Sequence, residues 1–196
     1  MDKHPSDHRV TRRLELLAEK LVTPATKGLL SISPVEIVAA GLAIALLVWL
    51  NDIASKDSIP LLVPPLAASI AFVFLQRGMT MARSWNVIAG QFLGALGGLI
   101  AGTLFPHHLP LAAGLAMCLG LIFQRIAHAY HPPGLPTGLI VAIEPAAHSF
   151  HFLLMPVLAG AAIVVVIGWA VHLVEITVLH RLERALGQPL TLDDQD

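Results

Sequence analysis

Residues 85–105 read WNVIAGQFLGALGGLIAGTLF. This stretch is uncharged and carries glycine at positions 90, 94, 97, 98 and 102. About 20 apolar residues in a helix cross the hydrocarbon core of a bilayer, so it reads as a membrane span. Its glycines, with Ala95 and Ala101, form the small-residue face that lets membrane helices pack closely. Formal charge is absent from Ser84 to Gln124. No strand precedes the glycines and no phosphate-loop lysine follows them, so nucleotide binding is not indicated.

Outward from that span, the rest of the chain has the same character. Residues of the AVILMFWYC class make up 56% and charged residues 13%, against about 25% charged in an ordinary globular domain. Mean hydropathy is +0.75. The reading is an all-α integral membrane protein, multi-pass and resident in the cell (inner or plasma) membrane. Net charge is −1, which offers no electrostatic case for a nucleic-acid partner. The single cysteine, Cys118, allows no disulfide framework within the chain. The first 33 residues are polar and basic and do not read as a signal peptide.

Six apolar segments lie between charged punctuation: Ile37–Leu50, Ile59–Leu75, Trp85–Phe105, Leu109–Phe123, Pro133–Ile143 and Phe152–Leu179. The second and fifth are short and proline-broken. If all six cross with the amino terminus in the cytoplasm, 11 of the 12 Lys and Arg residues lie inside and only Lys56 lies outside. Making segments two and five re-entrant reduces the split to eight against four. The positive-inside bias therefore favours about six membrane segments with both termini cytoplasmic. The organisation is a cytoplasmic lead-in over 1–33, a membrane domain over 34–179 and a tail over 180–196. In the lead-in, Val10, Leu14, Leu17 and Leu21 space as a short amphipathic helix beside the bilayer. In the tail, helix continues from His180 to Leu186 and stops at Gly187.

A shift of 68 residues lays segments one to three on segments four to six. Pro64-Pro65 falls on Pro132-Pro133 and Ser69 on Thr137. Each unit, about 34–105 and 106–179, holds three crossings. Two such units in tandem face opposite ways, which is an inverted 3+3 repeat. In such folds, paired discontinuous helices meet near the midplane at the substrate site. Proline lacks an N–H and suits the first turn of a helix, so each Pro-Pro marks a half-helix start, at Leu66–Leu75 and Leu135–Ile143. A helix amino terminus carries about +0.5 elementary charge and free N–H groups. Two of them make a site for a small anion without buried Lys or Arg. Ser69 and Thr137 add hydroxyl donors. The alternative is that both breaks only shape packing.

The string His131-Pro132-Pro133-Gly134, with Pro64-Pro65-Leu66-Ala67-Ala68-Ser69 and Asn86-Val87-Ile88-Ala89-Gly90-Gln91 upstream, resembles the HPP family of integral membrane proteins. The resemblance covers roughly Ile59–Trp169. It implies a transport protein, since the family includes members assigned to nitrite transport in cyanobacteria and chloroplasts. There are departures. The family usually continues Gly-Gly-Ala-Thr-Ala where this chain has Gly134-Leu135-Pro136-Thr137-Gly138. It typically has Gly before Ala-Ser, where Ala67 stands here, and often Gly-Gly-His where Ala89-Gly90-Gln91 stands. It is usually described with four membrane helices, against six segments here.

The expected function is therefore transport or channelling of a small monovalent anion, with nitrite the best single guess. The substrate-binding candidates are Ser69, Thr137, Pro65, Pro133, Gly134, His131, Asn86 and Gln91. Asn86 and Gln91 can either line a path or bond between helices. No nucleophile with a base at fitting distance exists in any span, so no catalytic residue, cofactor or metal site is assigned. The histidine sets His107-His108, His128 with His131, and His148 with His151 leave a metal-dependent membrane enzyme or metal transporter as an alternative. A gating or proton-relay role is open to His131, and a non-transporting structural subunit is the third reading. A cation carrier normally buries a carboxylate mid-span. Glu36, Glu144 and Glu175 lie at span ends instead and read as boundary or pairing residues. The partners are lipid, a small anion and further copies of the chain in a homo-oligomer.

Overall fold

The computed structural model describes residues 34–54, 63–75 and 78–186. The chain divides into two compact units, Met1–Val38 and Ala39–Asp196. The described part of the first is the opening of helix α1 alone. The amphipathic lead-in and the residues after Leu186 lie outside the described residues.

The described elements are mainly α-helices. They are α1 (Pro34–Ala54), α2 (Val63–Leu75), α3 (Ser84–Leu104), α4 (Leu109–Ile126), α5 (Gly134–Ile143) and a composite α6. Helix α6 opens at Phe150–Phe152, widens into a π-helical stretch at Leu153–Ala159 and continues as Gly160–Leu186. No strand occurs among the described residues. Among the described residues three helical stretches are long and apolar enough to cross a membrane: Ser84–Leu104, Leu109–Ile126 and Phe150–Val178. Shorter apolar helices cover Glu36–Trp49, Pro64–Leu75 and Gly134–Ile143.

Local chemistry accounts for the boundaries. The sequence expectation begins the first half-helix at Leu66, but α2 begins at Val63 with Pro64 and Pro65 inside its first turn. Prolines fit there because first-turn N–H groups have no intrahelical acceptor. Helix α5 starts at Gly134, with Pro133 as its cap residue. The 13 residues of α2 and 10 of α5 span about 20 and 15 Å at 1.5 Å per residue, short of a hydrocarbon core of about 30 Å. In α6 the Ser149 Oγ accepts the Phe152 N–H at 3.1 Å, so the helix opens before the expected Phe152. Pro156 lies inside the π stretch, where an extra residue in the turn absorbs the missing N–H.

Helix α3 is the centre. Eleven of its residues are buried, including all five glycines, and α4, α5 and α6 pack on it. The pairing of the short helices is crossed. Helix α5 packs on α3 and α2 packs on α6, so each short helix lies against a long helix from the other side of the 68-residue shift. On the α3–α5 side the contact is backbone to backbone. A Cβ at Gly94 would run into the Gly134 carbonyl, and one at Gly98 into the Gly138 carbonyl. Only glycine permits that approach, which is the close-packing device of membrane helices. On the α2–α6 side Leu66 and Val73 fill the space over Gly160 and Gly168. The larger apolar cluster joins Ala43 and Leu47 of α1, Leu66, Ile70 and Phe74 of α2, and Leu153, Val157 and Val164 of α6. Outward-facing side chains such as Leu42, Trp85, Leu111, Ile122 and Trp169 are large, apolar and exposed, as lipid-facing residues are.

Candidate functional site

The site is built from the end of α4. Ala127 caps that helix and His128 follows at φ 49°. The His128 N–H bonds the Arg125 carbonyl at 3.2 Å and the Ala129 N–H bonds the Gln124 carbonyl at 2.9 Å. This bond pair is a Schellman ending, and it turns the chain back along α3. There Asn86 Nδ2 donates to the Tyr130 carbonyl at 3.0 Å. Gln124 Oε1 accepts the His131 N–H at 3.0 Å while its Nε2 donates to the Gly90 carbonyl at 3.0 Å. Gly90 has no Cβ to block the approach, since a Cβ there would sit 2.9 Å from the Ala129 carbonyl oxygen. The His131 ring is thereby carried into the protein and is fully buried.

Once inside, the ring ends a chain of hydrogen bonds. Its Nδ1 lies 2.8 Å from the Met81 carbonyl oxygen. A carbonyl only accepts, so Nδ1 carries the proton and Nε2 of the neutral ring is an acceptor. Ser69 Oγ sits 2.8 Å from that Nε2 and donates to it. Ser69 Oγ in turn accepts from Gln91 Nε2 at 2.8 Å. The Thr137 hydroxyl donates to Gln91 Oε1 in a short bond. Ser69 Oγ also lies 3.0 Å from the Pro65 carbonyl, and Thr137 Oγ1 lies 3.4 Å from that of Pro133. The edge of Phe72 closes over the imidazole, with ring centroids 6.1 Å apart. Ser69 and Thr137, equivalent under the 68-residue shift, thus meet at the two ends of one amide. The buried polar side chains among the described residues are Ser69, Asn86, Gln91, Gln124, His131 and Thr137. None carries formal charge when the histidine is neutral. All of them find partners, as buried polar groups must.

Comparison with known proteins fits this architecture. The profile described as "HPP, transmembrane region" matches residues 26–178, most of the chain. The chain belongs to the HPP family. A curated transmembrane protein of Dictyostelium discoideum is 28% identical to this HPP chain over 116 residues, which cover 57% of the chain and 41% of that relative. The alignment thus spans less than half of the relative's length. No solved structure matches.

Within this HPP protein the eight candidate residues separate by role. Ser69, Gln91, Thr137 and His131 form the buried chain, and the carbonyls of Pro65 and Pro133 flank it. The Pro65 oxygen is also 3.4 Å from Gln91 Nε2. Gly134 is the contact point of α5 with Gly90 and Gly94. Asn86 stands apart, holding the backbone at Tyr130. The amino terminus of α5 differs from the expected free cradle. The Gly134 N–H bonds the His131 carbonyl at 2.9 Å and the Leu135 N–H that of Pro132 at 3.1 Å, while Pro136 has no N–H. Donors for a substrate at this end are therefore side chains first. Glu144 accepts the Ala146 N–H at 3.3 Å and caps the turn at Pro145–Ala147, a boundary role. His128 is exposed beside buried His131, and no group of three or more His, Cys, Asp or Glu side chains gathers for a metal among the described residues.

Sequence reasoning missed two participants. Gln124 clamps His131 to Gly90, and its one signal was a lone amide at the polar end of an apolar helix. The Met81 carbonyl, which fixes the histidine tautomer, belongs to the 3₁₀ turn Thr80–Ala82. A backbone acceptor 50 residues from His131 leaves no trace in composition.

Proposed function

We propose that this HPP protein transports a small monovalent anion, with nitrite the best single candidate, at the Ser69–Gln91–Thr137–His131 cluster. The observation that carries the reading is the meeting of the two repeat-related hydroxyls on one buried amide. Repeat interfaces formed by broken helices are where transporters of inverted-repeat type hold their substrates. The cluster offers hydroxyl and amide donors and no buried carboxylate. That favours an anion over a cation, which normally needs an intramembrane acid. Contrary to the sequence expectation, a hydroxyl and a base do stand together, Ser69 Oγ and His131 Nε2 at 2.8 Å, but both are fully buried and committed to the hydrogen-bond chain, which favours transport over enzymatic chemistry.

In the closed arrangement the donors satisfy one another. An entering anion replaces the mutual bonds of Ser69, Gln91 and Thr137 with bonds to itself. Hydrogen bonds to a charged group contribute about 1.5–3 kcal/mol each, enough for selective binding without lysine or arginine. With the cluster buried on all sides, access from either face requires movement of the short helices against α3 and α6. The 11-to-1 basic split supports a plasma- or inner-membrane orientation with both termini cytoplasmic. A cysteine in the Gln76–Ser84 loop, with Cys118 replaced, then labels only from the cytoplasmic side. The function is tested by flux into liposomes with nitrite, nitrate, chloride and ammonium. Uptake of nitrite above protein-free vesicles, without ammonium uptake, is the expected result. Ammonium uptake without anion uptake overturns the reading.

A further inference from the structure

The hydroxyl of Ser69 has one hydrogen and two buried acceptors. His131 Nε2 is 2.8 Å away and the Pro65 carbonyl oxygen is 3.0 Å away. In the neutral arrangement the hydrogen goes to Nε2, because the Met81 carbonyl keeps the ring's own hydrogen on Nδ1. A proton added to the Nε2 lone pair reverses that bond. Nε2–H then donates to Ser69 Oγ, and the hydroxyl hydrogen turns to the Pro65 oxygen. Ser69 Oγ now accepts from both His131 Nε2 and Gln91 Nε2, using its two lone pairs, and donates once. Every atom of the chain is satisfied in both states.

We infer that His131 is a proton carrier coupled to the substrate, so that one proton crosses with each anion; this rests on the anion reading given above. Charging an imidazole without a counter-charge in a dry interior is costly. The groups that face His131 are Ser69 and Phe72 from α2, the Met81 carbonyl, Gly90 from α3 and Gln124 from α4, with Gln91 reached through Ser69. None of these carries charge. The neighbouring titratable residues in the chain, His128 and Tyr130, are exposed, as is Arg83 beyond Met81. Among the described residues the imidazolium therefore finds no counter-ion, and an anion bound on the Ser69–Gln91–Thr137 donors, with the Ser69 hydrogen turned to it in place of the Pro65 oxygen, supplies one. Linkage makes the effect mutual: the anion raises the affinity for the proton, and the proton raises the affinity for the anion. The transported unit is neutral. The proton comes from the medium on the side of entry and leaves with the anion on the other, so mass and charge balance without a further reactant.

The experiment uses the full chain in liposomes holding a trapped pH dye, with an inward nitrite gradient and protein-free vesicles to subtract permeation of undissociated acid. A valinomycin–potassium clamp sets the membrane potential. The expected result is lumenal acidification in step with nitrite entry, a rate indifferent to the sign of the potential, and faster uptake as external pH falls. Nitrite entry driven by inside-positive potential without acidification overturns proton coupling while leaving the anion reading intact. Absence of nitrite entry removes both. His131→Gln, judged folded by gel filtration, is expected to lose the acidification. Acidification per nitrite equal to wild type in that variant would show that another group carries the proton. If the variant moves no nitrite, the wild-type ratio and its response to potential decide the matter.

Discussion

The Gln91 amide is fully buried and held at both ends by the hydroxyls of Ser69 in α2 and Thr137 in α5, which makes a double-substitution cycle informative. Thr137→Val keeps the shape and removes the donor to Gln91 Oε1. Stranding a buried acceptor costs about 1–3 kcal/mol. Ser69→Ala removes the partner of His131 Nε2 and leaves Gln91 Nε2 with only the Pro65 oxygen at 3.4 Å, again about 1–3 kcal/mol. The second substitution then acts on an amide already released at one end and free to turn toward other partners. The double variant should therefore lose less than the two losses together, with a coupling of about 0.5–3 kcal/mol. Unfolding of the purified wild type, both single variants and the double variant, in one detergent and followed by tryptophan fluorescence, measures it. Losses that add within about 0.5 kcal/mol would refute the idea that one glutamine joins α2 and α5.

Other substitutions test the scaffold around that amide. Gly94→Ala drives a Cβ into the Gly134 carbonyl and should cost about 1–3 kcal/mol. Gly114→Ala, with nothing within 4 Å, should instead gain about 0.5–1 kcal/mol in the same unfolding assay. Gln124→Leu leaves the His131 N–H and the Gly90 carbonyl without their side-chain partner, a loss of about 1–3 kcal/mol per stranded group, read as a lower unfolding midpoint. His128→Gly relieves a non-glycine residue at φ 49° and should raise the midpoint, the strain being about 1–2 kcal/mol; a lowered midpoint would show that the exposed ring contributes more than the strain costs.

The long spans were legible because length and hydropathy alone decide them. Helices α3, α4 and α6 lie where uncharged runs predicted, within a turn at most ends. The short helices were legible through their prolines, and the 68-residue shift pairs Ser69 with Thr137. What could not be read is what long-range contact decides. The crossed packing of α2 on α6 and α5 on α3 depends on which glycine faces which carbonyl. The closure of the α5 amino terminus depends on the turn at His131–Pro133, where the chain's own carbonyls reach Gly134 and Leu135. The π stretch around Pro156 replaces the straight helix that periodicity implies. Gln124 and the Met81 carbonyl work through hydrogen bonds to a residue that sequence places in a separate segment.

Gln91 is the one side chain that touches both repeat-related hydroxyls, so its replacement tests the proposed site most directly. The measurement is the initial rate of nitrite entry into liposomes for wild type and for Gln91→Leu at matched, monodisperse protein content. Removal of the amide takes away its own donor and the group that orients the Ser69 and Thr137 hydroxyls. At about 1.5–3 kcal/mol per bond to a charged ligand, a fall of roughly ten- to a hundred-fold is expected. A Gln91→Leu protein that is folded and carries nitrite at the wild-type rate would contradict it.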